Sequence, residues 1–273
     1  MRHSLGPLPL VRLVLLAVLG LASALWPKLG LPAAFLVMIG WIALVPATGA
    51  GRRSARLVLL LASLGAAVGT ARFVVVEAVP GIIAGGQRAT SQAAVSQLRT
   101  LLFAEDALRQ HAQHDPDHDG VGSAALLGEL CGTQPLRGGA RLDPAVVEVR
   151  PSALVETPIG TAMFRSGYLF IVCLPRPDGG WTARAGDPVD DERAERRFVA
   201  YAWPASNREG VRQAYFLDEH EMILVSPNGD EADPRWAGQS FPPPCDAAFV
   251  EPTKEEWKAW QGKKSRASLP GAQ

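Results

Sequence analysis

The sequence predicts an α+β protein in which two or three membrane-spanning helices precede a long helix packed on an antiparallel β-meander. Two long apolar stretches lie before residue 50, and a third apolar run leads into an amphipathic pattern that ends near Gln113. Short apolar segments separated by turn residues follow between residues 167 and 225. Apolar residues every three to four positions are typical of a core-covering helix, and short apolar runs between turns are typical of strands.

Three stretches before residue 87 are apolar and long enough to cross a bilayer, which takes about 20 residues. They are residues 5–26, 29–49 and 57–76. Basic residues tend to stay in the cytoplasm, and here they cluster near the N-terminus and in the loop at residues 51–56. We therefore assign residues 1–86 to a membrane region and place residues 77 onward outside the cytoplasm.

A second interpretation makes residues 1–24 a cleaved secretory signal peptide. Arg2 begins a charged region, an apolar core follows, and Ala22-Ser23-Ala24 has the form of an A-x-A cleavage site. Both interpretations deliver the later residues to the same side of the membrane. The expected location is the bacterial cytoplasmic membrane, with an extracytoplasmic domain at residues 87–252 and a short helix and disordered tail at residues 253–273.

The formal charge of zero conceals an asymmetry along the chain. Before residue 87 there are seven basic residues and one acidic residue, a net charge of +6, and the remainder carries 20 basic and 26 acidic residues, a net charge of −6. Nucleic-acid binding requires clustered Lys and Arg to contact phosphates, so an acidic domain argues against nucleic acid as a partner. The bilayer is the expected partner of the basic N-terminal region.

The soluble part is predicted to begin with a helix from about Ala89 to Gln113, whose apolar face carries a sheet. Glu105 falls within this apolar face, where an unpaired carboxylate would be costly, and Arg109 is expected to pair with it one turn later. The other predicted elements are a short helix at 123–130, strands at 167–174, 198–203, 211–217 and 221–225, a loop over the sheet at 230–252, and a helix opened by the capping box Thr253-Lys254-Glu255-Glu256 and extending through Trp257 and Trp260. Residues 262–273 are expected to be disordered.

The three cysteines, Cys131, Cys173 and Cys245, match no zinc or redox spacing. Outside the cytoplasm one disulfide with one remaining thiol would form, whereas three buried free thiols are the alternative. The sequence leaves both open.

Several short motifs in the soluble part occur in a fixed order. They are residues 93–100 (AAVSQLRT) followed by Ala104-Glu105, residues 165–170 (RSGYLF), residues 201–204 (YAWP), residues 210–212 (GVR) and residues 216–218 (FLD). This order resembles the post-membrane helix and first strands of type IV pilin-like and pseudopilin-like proteins, over about residues 88–230. The resemblance implies a structural or protein-interaction role in the cell envelope, without catalysis, through an envelope partner or self-association of membrane helices.

The chain departs from that family at its leader. Residues 73–77 (FVVVE) are similar to the start of a mature pilin, but Arg72 stands where a prepilin has Gly, and the apolar residues lie before Phe73 rather than after it. Pro80-Gly81 is expected to interrupt the helix as well. The expectation is a pilin-like domain held by ordinary membrane spans.

The segment after the predicted helix contains the opening of a calcium-binding loop. Asp115, Asp117 and Asp119, followed by Gly120, have the D-x-D-x-D-G pattern that supplies hard oxygen ligands around a sharp turn. The carbonyl of Val121 would be the next ligand, and Ser123 suits the ninth position. The twelfth position, however, is Leu126 instead of Glu, and Glu129 comes three residues late. A calcium site at the three aspartates and a solvated turn are both open.

Other chemistry has weaker support. His111, His114 and His118 lie near the same loop and could bind a transition metal, although histidines are common at helix ends. The acidic pairs Asp190-Asp191 and Glu255-Glu256 are expected to be solvated. No nucleophile motif and no phosphate-binding loop is present in the sequence, so we do not expect an enzyme.

Overall fold

A computed structural model of the chain describes most residues from position 52 onward. The described ranges are residues 52–206, 212–229, 234–251 and 253–261, together with residues 18, 22, 32 and 34–39. The chain divides into two compact units, Met1–Gly85 and Gly86–Gln273. The predicted tail at residues 262–273 lies outside the described residues, as do the predicted spans at residues 5–26 and 29–49 apart from the few positions just given.

One helical segment contains the predicted span at residues 57–76. Helix α1 covers Arg52–Phe73, a π-helical turn follows at Val74–Ala78, and helix α2 covers Val79–Gln110. The segment Leu60–Gln110 is long and apolar enough to cross a membrane, and it is the one helix among the described residues that meets this criterion. The structure thus supports one candidate span, and the two earlier spans stay predictions.

The helix continues through Pro80-Gly81, where the sequence predicts an interruption. Proline has no N–H and its ring crowds the carbonyl four residues earlier, so a regular helix loses a hydrogen bond there. The π-helical turn changes the bonding pattern just before the proline, because the Val79 N–H donates to the Val74 carbonyl five residues back. Pro80 then lies in the first turn of α2, where proline is best tolerated. The predicted break is wrong because the backbone rearranges locally.

Small residues mediate a helix contact within the first unit. Ala62 and Ala66, one turn apart on α1, are buried against Val37 and Ala34 of the helical residues 34–39. Small side chains let two helices approach closely, which is the usual packing between helices in a bilayer.

The second unit is built on one antiparallel sheet of eight strands. The strands are β1 Leu154–Thr157, β2 Gly160–Arg165, β3 Tyr168–Pro175, β4 Trp181–Thr182, β5 Val199–Pro204, β6 Ala214–Asp218, β7 Ile223–Ser226 and β8 Lys258–Ala259. Their order across the sheet is β1-β2-β3-β5-β6-β7-β8, and β4 pairs with β3. Each pairing is antiparallel, so the α+β class with an antiparallel sheet is confirmed.

Helix α2 packs on one face of this sheet through its apolar stripe. Leu98, Leu101 and Leu108 are fully buried and belong to the same core as Tyr168 and Phe170 of β3. Because side chains alternate between the faces of a strand, the odd-numbered residues of β3 point away from the helix into a second core. Burial of both faces explains why the central strands are apolar at nearly every position.

Residues 234–251 cover the second face of the sheet, as predicted for the proline-bearing loop. Trp236, Ala247 and Ala248 of this segment pack against Tyr201 and Phe216.

Of the two alternatives for the three cysteines, the structure has one disulfide and one free thiol. The disulfide joins β3 to the loop at residues 234–251. The bond links Cys173 to Cys245, and Cys131 is free and buried.

The predicted C-terminal helix through Trp257 and Trp260 is wrong. Lys254–Glu256 form a single 3-10 turn, and the chain then extends as β8 along the edge of β7. The hydroxyl of Thr253 donates to the carbonyls of Ala247 and Val250, so it caps no helix N–H group.

The predicted helix at 123–130 is shorter than expected, since α3 covers only Leu127–Leu130. A helical turn that the sequence did not predict, α4, covers Asp191–Ala194.

Candidate functional site

The acidic loop after α2 folds into a compact turn stabilised by its own aspartates. The Gly120 N–H donates to Asp115 Oδ2 at 3.0 Å, and the Asp119 N–H donates to Asp117 Oδ1 at 3.3 Å. The Val121 N–H donates to Asp119 Oδ1 at 2.8 Å. Gly120 has a φ of 89°, which glycine adopts without steric cost. The fold thus brings together the three aspartates named from the sequence, with one oxygen of each within 4.8 Å of the others.

Hydrogen-bond donors in the loop favour the ionised form of Asp115. Burial acts to raise the pKa of Asp115, but hydrogen bonds, first from the Gly120 N–H, lower that pKa overall. An ionised carboxylate is the form that binds a hard cation such as calcium. Asp115 Oδ1, moreover, is buried and accepts no hydrogen bond from any described residue. The loop therefore offers charged oxygens that the described part of the protein does not fully satisfy.

The residues at later loop positions do not supply the remaining ligands. Leu126 is a buried core residue, and the Glu129 carboxylate turns inward, where Oε2 accepts the Leu126 N–H at 2.7 Å. The hydroxyl of Ser123 donates to Asp191 Oδ1 at 3.1 Å and is fully buried. Glu129 and Ser123 are thus committed to structural contacts away from the acidic loop.

The three histidines do not gather into a metal site. His111 and His118 are exposed, and His114 is buried with Nε2 3.4 Å from Asp191 Oδ1. Within the described ranges the one group of ligating side chains close enough for an ion contains only the aspartates. The histidine hypothesis therefore gains no support from the geometry.

Arg137 is the centre of a partly buried ionic network behind the loop. Its guanidinium donates to Glu129 Oε2 at 2.6 Å, to Asp191 Oδ1 at 2.9 Å and to the Ala124 carbonyl at 2.7 Å. Arg137 Nη2 also donates to the Ser123 hydroxyl at 2.9 Å. Burial acts to raise the pKa of Asp191, but hydrogen bonds and the Arg137 charge lower it to about 2. The network therefore holds Ser123 and Ala124, which follow the acidic loop, next to Asp191 of α4.

The sequence did not predict this network, and the prediction that both acids of the pair Asp190-Asp191 are solvated is wrong. Asp190 and Asp191 are not both solvated, since Asp190 caps α4 by accepting the Arg193 N–H at 3.1 Å and Asp191 is held by Arg137. An Asp before a short helical segment is a recognisable capping signal. Nothing in the spacing of Arg137 and Asp191, 54 positions apart, could have paired them.

Glu105 does not pair with Arg109, which corrects the pairing expected from their spacing. Arg109 instead contacts Asp106 and donates from Nη1 to the Glu195 carbonyl at 3.0 Å. Glu105 is fully buried, Oε2 accepts the Ala125 N–H at 2.9 Å, and Oε1 has no partner in the described structure. Burial raises the pKa of Glu105 to about 8, although the Ala125 N–H and Arg109 act to lower it.

An open groove lies beside the disulfide on the far side of the sheet. It has a volume of about 350 Å³, and Trp181, Arg184, Asp187, Cys245 and Asp246 are among its lining residues. Asp187 Oδ2 accepts the Thr182 hydroxyl at 2.7 Å, while Arg184 and Asp246 are exposed. Charged groups at an open surface keep their hydration, so the groove gives no reason to assign an activity.

One face of α2 presents an exposed aromatic ring. Phe103 is 64% exposed, whereas most aromatic rings of this unit lie in its cores. Arg99, one turn earlier, lies 5.9 Å above the ring of Trp260, which packs on the edge of the core. We call Arg99, Phe103 and Trp260 the aromatic surface. The predicted C-terminal helix is absent, but Trp260 itself is half-buried and has Arg99 over its ring.

Comparison with known proteins gives no further assignment. No protein family, no curated protein and no solved structure matches the chain.

Proposed function

We propose that the protein is anchored in a bacterial cytoplasmic membrane and carries an extracytoplasmic, pilin-like domain that acts by protein interaction in the cell envelope. The observation that carries the proposal is the helical segment Leu60–Gln110. Its first part is long and apolar enough to span a membrane, and its last turns form the core of a domain with an antiparallel sheet. A domain whose central helix is continuous in sequence with a membrane helix is suited to act at the membrane surface.

Two features support placing the domain outside the cytoplasm. The disulfide Cys173–Cys245 belongs to oxidising compartments, because cytosolic thiols are kept reduced. The first turns of α1 contain Arg52, Arg53 and Arg56, and basic residues at the end of a membrane span tend to stay on the cytoplasmic side. Helix α1 would then deliver its C-terminal end to the outer side.

The aromatic surface supports the interaction role. An exposed phenylalanine one helical turn from an arginine that lies over a half-buried tryptophan is typical of protein contact sites, which are enriched in aromatic residues and arginine. The pilin-like resemblance is consistent with such a role, since helix α2 packs on one face of a meander.

The proposal is tested by photocrosslinking in membranes. In the full-length protein, a photoreactive amino acid that replaces Phe103 should give a discrete crosslinked product. The same photoreactive amino acid in place of Asp178, which is exposed in the turn between β3 and β4, should give none. Carbonate-washed membranes should retain the protein. Release by carbonate, or equal crosslinking at both positions, would contradict the proposal.

A second candidate function is calcium binding at Asp115, Asp117 and Asp119. The observation that favours it is the convergence of these three side chains, with one oxygen of each within 4.8 Å of the others. The full chain in detergent should unfold at a higher temperature with excess calcium than with chelator, because a ligand at 100 times its Kd adds about 2.7 kcal/mol. Asp117→Asn should abolish the difference, and Asp178→Asn should preserve it. Identical unfolding curves with calcium and with chelator would exclude this function.

A further inference from the structure

Two exposed phenylalanines of the second unit lie outside its two cores. Phe164 on β2 is 47% exposed, and Phe241, in the loop over the second face of the sheet, is 67% exposed. Phe249 is exposed as well, but its ring stacks on Trp181. Single exposed apolar side chains are common on proteins, so what matters is whether Phe164 and Phe241 lie together.

The two phenylalanines lie at the same end of the sheet. Phe164 is paired with Leu169 of β3, and Leu169 is paired in turn with Trp203 of β5, so the three residues form one row across adjacent strands. The Trp203 indole N–H donates to the Gly238 carbonyl at 2.9 Å, and Gly238 lies in the tight turn that Phe241 closes. Neighbouring strands are about 4.8 Å apart, so Phe164 lies about 10 Å from the strand against which this turn packs.

This end of the sheet is also the end at which α2 enters the domain. The Arg109 guanidinium, in the last turn of α2, lies 5.5 Å from the centre of the Phe198 ring, which directly precedes β5. Pro204 ends β5 and is paired with Tyr168, and the Tyr168 side chain hydrogen-bonds to Ser91, about five turns before Arg109. β5 therefore runs from the C-terminal end of α2 toward the start of the domain.

The two rings and the arginine beside them have the chemistry of a membrane-contacting surface. Arg165 ends β2 directly after Phe164 and is exposed, and we call Phe164, Arg165 and Phe241 the entry surface. Proteins that bind a bilayer from outside bury Phe and other apolar side chains at the boundary of headgroups and acyl chains, while arginine stays among the headgroups. Nine positions of α2 separate Ser91 from Ile82, an exposed apolar residue of the candidate span, and nine helical residues rise only about 14 Å.

We propose that the entry surface binds the headgroup region of the bilayer that anchors the protein. The inference rests on the proposed membrane anchor and goes beyond it, because an anchor alone requires no lipid contact from the domain. The bilayer is the occupant that the chain itself supplies, since the membrane helix leads into the domain at this end. The two phenylalanine rings enter the headgroup region, and Arg165 binds lipid phosphates.

The test is photocrosslinking of the full chain in vesicles of phosphatidylcholine and phosphatidylglycerol, followed by mass spectrometry. A photoreactive phenylalanine analogue in place of Phe164 or Phe241 should give adducts heavier by the mass of one lipid. The same analogue in place of Asp178, exposed in the turn after the other end of β3, should give none. With the analogue at position 164, Phe241→Asp should abolish most of the lipid adduct, because a charge at this position resists entry among the lipids. Phe103→Asp, at an exposed phenylalanine of α2, is the matched control and should leave the yield unchanged.

The outcomes separate this inference from the function on which it rests. If carbonate-washed vesicles retain the protein but Phe164 and Phe241 give no lipid adduct, or no more than Asp178 gives, the anchor stands and the entry surface does not bind lipid. Crosslinks to a second protein chain without any lipid adduct would overturn the inference in the same way. If carbonate releases the protein, the anchor itself fails, and the role of the entry surface fails with it.

Discussion

Glu105 shows how a single buried acid ties stability to pH. Its carboxylate is fully buried and its pKa is raised to about 8, so the folded protein holds a proton there that the unfolded chain releases above its ordinary pKa of 4.5. Because the pKa is raised in the folded state, protonation of Glu105 makes its full favourable contribution to the free energy of unfolding below pH 4.5. It is lost progressively as the pH rises toward 8.

Glu105→Gln should remove the loss of stability that accompanies rising pH. Gln resembles the neutral acid, and its side-chain carbonyl can still accept the Ala125 N–H. Each pKa unit is worth about 1.4 kcal/mol, so the variant should gain roughly 3 kcal/mol over the wild type between pH 5 and pH 7. Thermal unfolding of the full chain in detergent across this range measures the difference. Glu192→Gln, at an exposed site, should follow the wild-type curve. A wild-type stability that rises from pH 5 to pH 7 relative to Glu105→Gln would contradict the account.

Arg137→Ala should destabilise the domain strongly. The substitution leaves the Glu129 carboxylate, only 4% exposed, without its cation, and breaking one partner of a buried pair costs about 3 kcal/mol or more. Arg137 acts to lower the pKa of Glu129, which burial raises, so its removal should cost more at pH 8 than at pH 5. Denaturant unfolding at the two pH values provides the measurement. Arg141→Ala, at an exposed position, should change stability by less than about 0.5 kcal/mol. Equal effects of the two substitutions would rule out a stabilising network.

At the residue scale, sequence patterns predicted local groupings and missed distant ones. Asp115, Asp117 and Asp119 lie within five positions, so their convergence follows from one turn. The expected ion pair between Glu105 and Arg109 does not form. Glu105 is in the core and its carboxylate accepts the Ala125 N–H, whereas Arg109 contacts Asp106. The contacts of Arg137 with Asp191 depend on the tertiary fold and leave no trace in local spacing.

At the scale of elements, the disulfide attaches the covering loop to the central strand of the sheet. Cys173 lies on β3 and Cys245 lies in residues 234–251, 72 positions later in the sequence. A crosslink of this length restricts the unfolded chain and stabilises the fold by roughly 4 kcal/mol in the loop-entropy estimate.

Replacing both disulfide cysteines by alanine should therefore lower stability by about 4 kcal/mol and expose the second face of the sheet, which denaturant unfolding with tryptophan fluorescence would detect. Cys131→Ala removes a thiol without a crosslink, so it should cost about 1 kcal/mol. A double variant that is no less stable than Cys131→Ala would show that the bond does not hold the loop.

Elements with strong patterns were predictable and short ones were not. The central strands are apolar on both faces and were placed within a residue or two, and the hairpin of β6 and β7 follows the short polar connection between two apolar runs. The C-terminal segment failed because Trp257 is needed in the second core, where it stacks on Trp236, and this tertiary contact overrides a local helix-capping pattern.

At the scale of the whole molecule, the charge asymmetry and the helix Leu60–Gln110 point to the same arrangement. Residues 1–86 have a net charge of +6, and basic residues that flank a membrane span favour the cytoplasmic side, as the proposal requires. The acidic residues 87–273, with a net charge of −6, follow them. The fold class was predictable because burial sets the apolar pattern of its helix and strands. A partner was not predictable, because the proposed contact surface consists of a few side chains without a sequence signature.

The central claim is that the membrane region anchors a domain on the outer side of the membrane. The most direct measurement is protease digestion of bacterial spheroplasts that express the full chain with a C-terminal epitope tag. The account predicts loss of the tag in intact spheroplasts while a cytoplasmic marker protein stays whole. A tag that survives until the spheroplasts are lysed would place the domain in the cytoplasm and contradict the account.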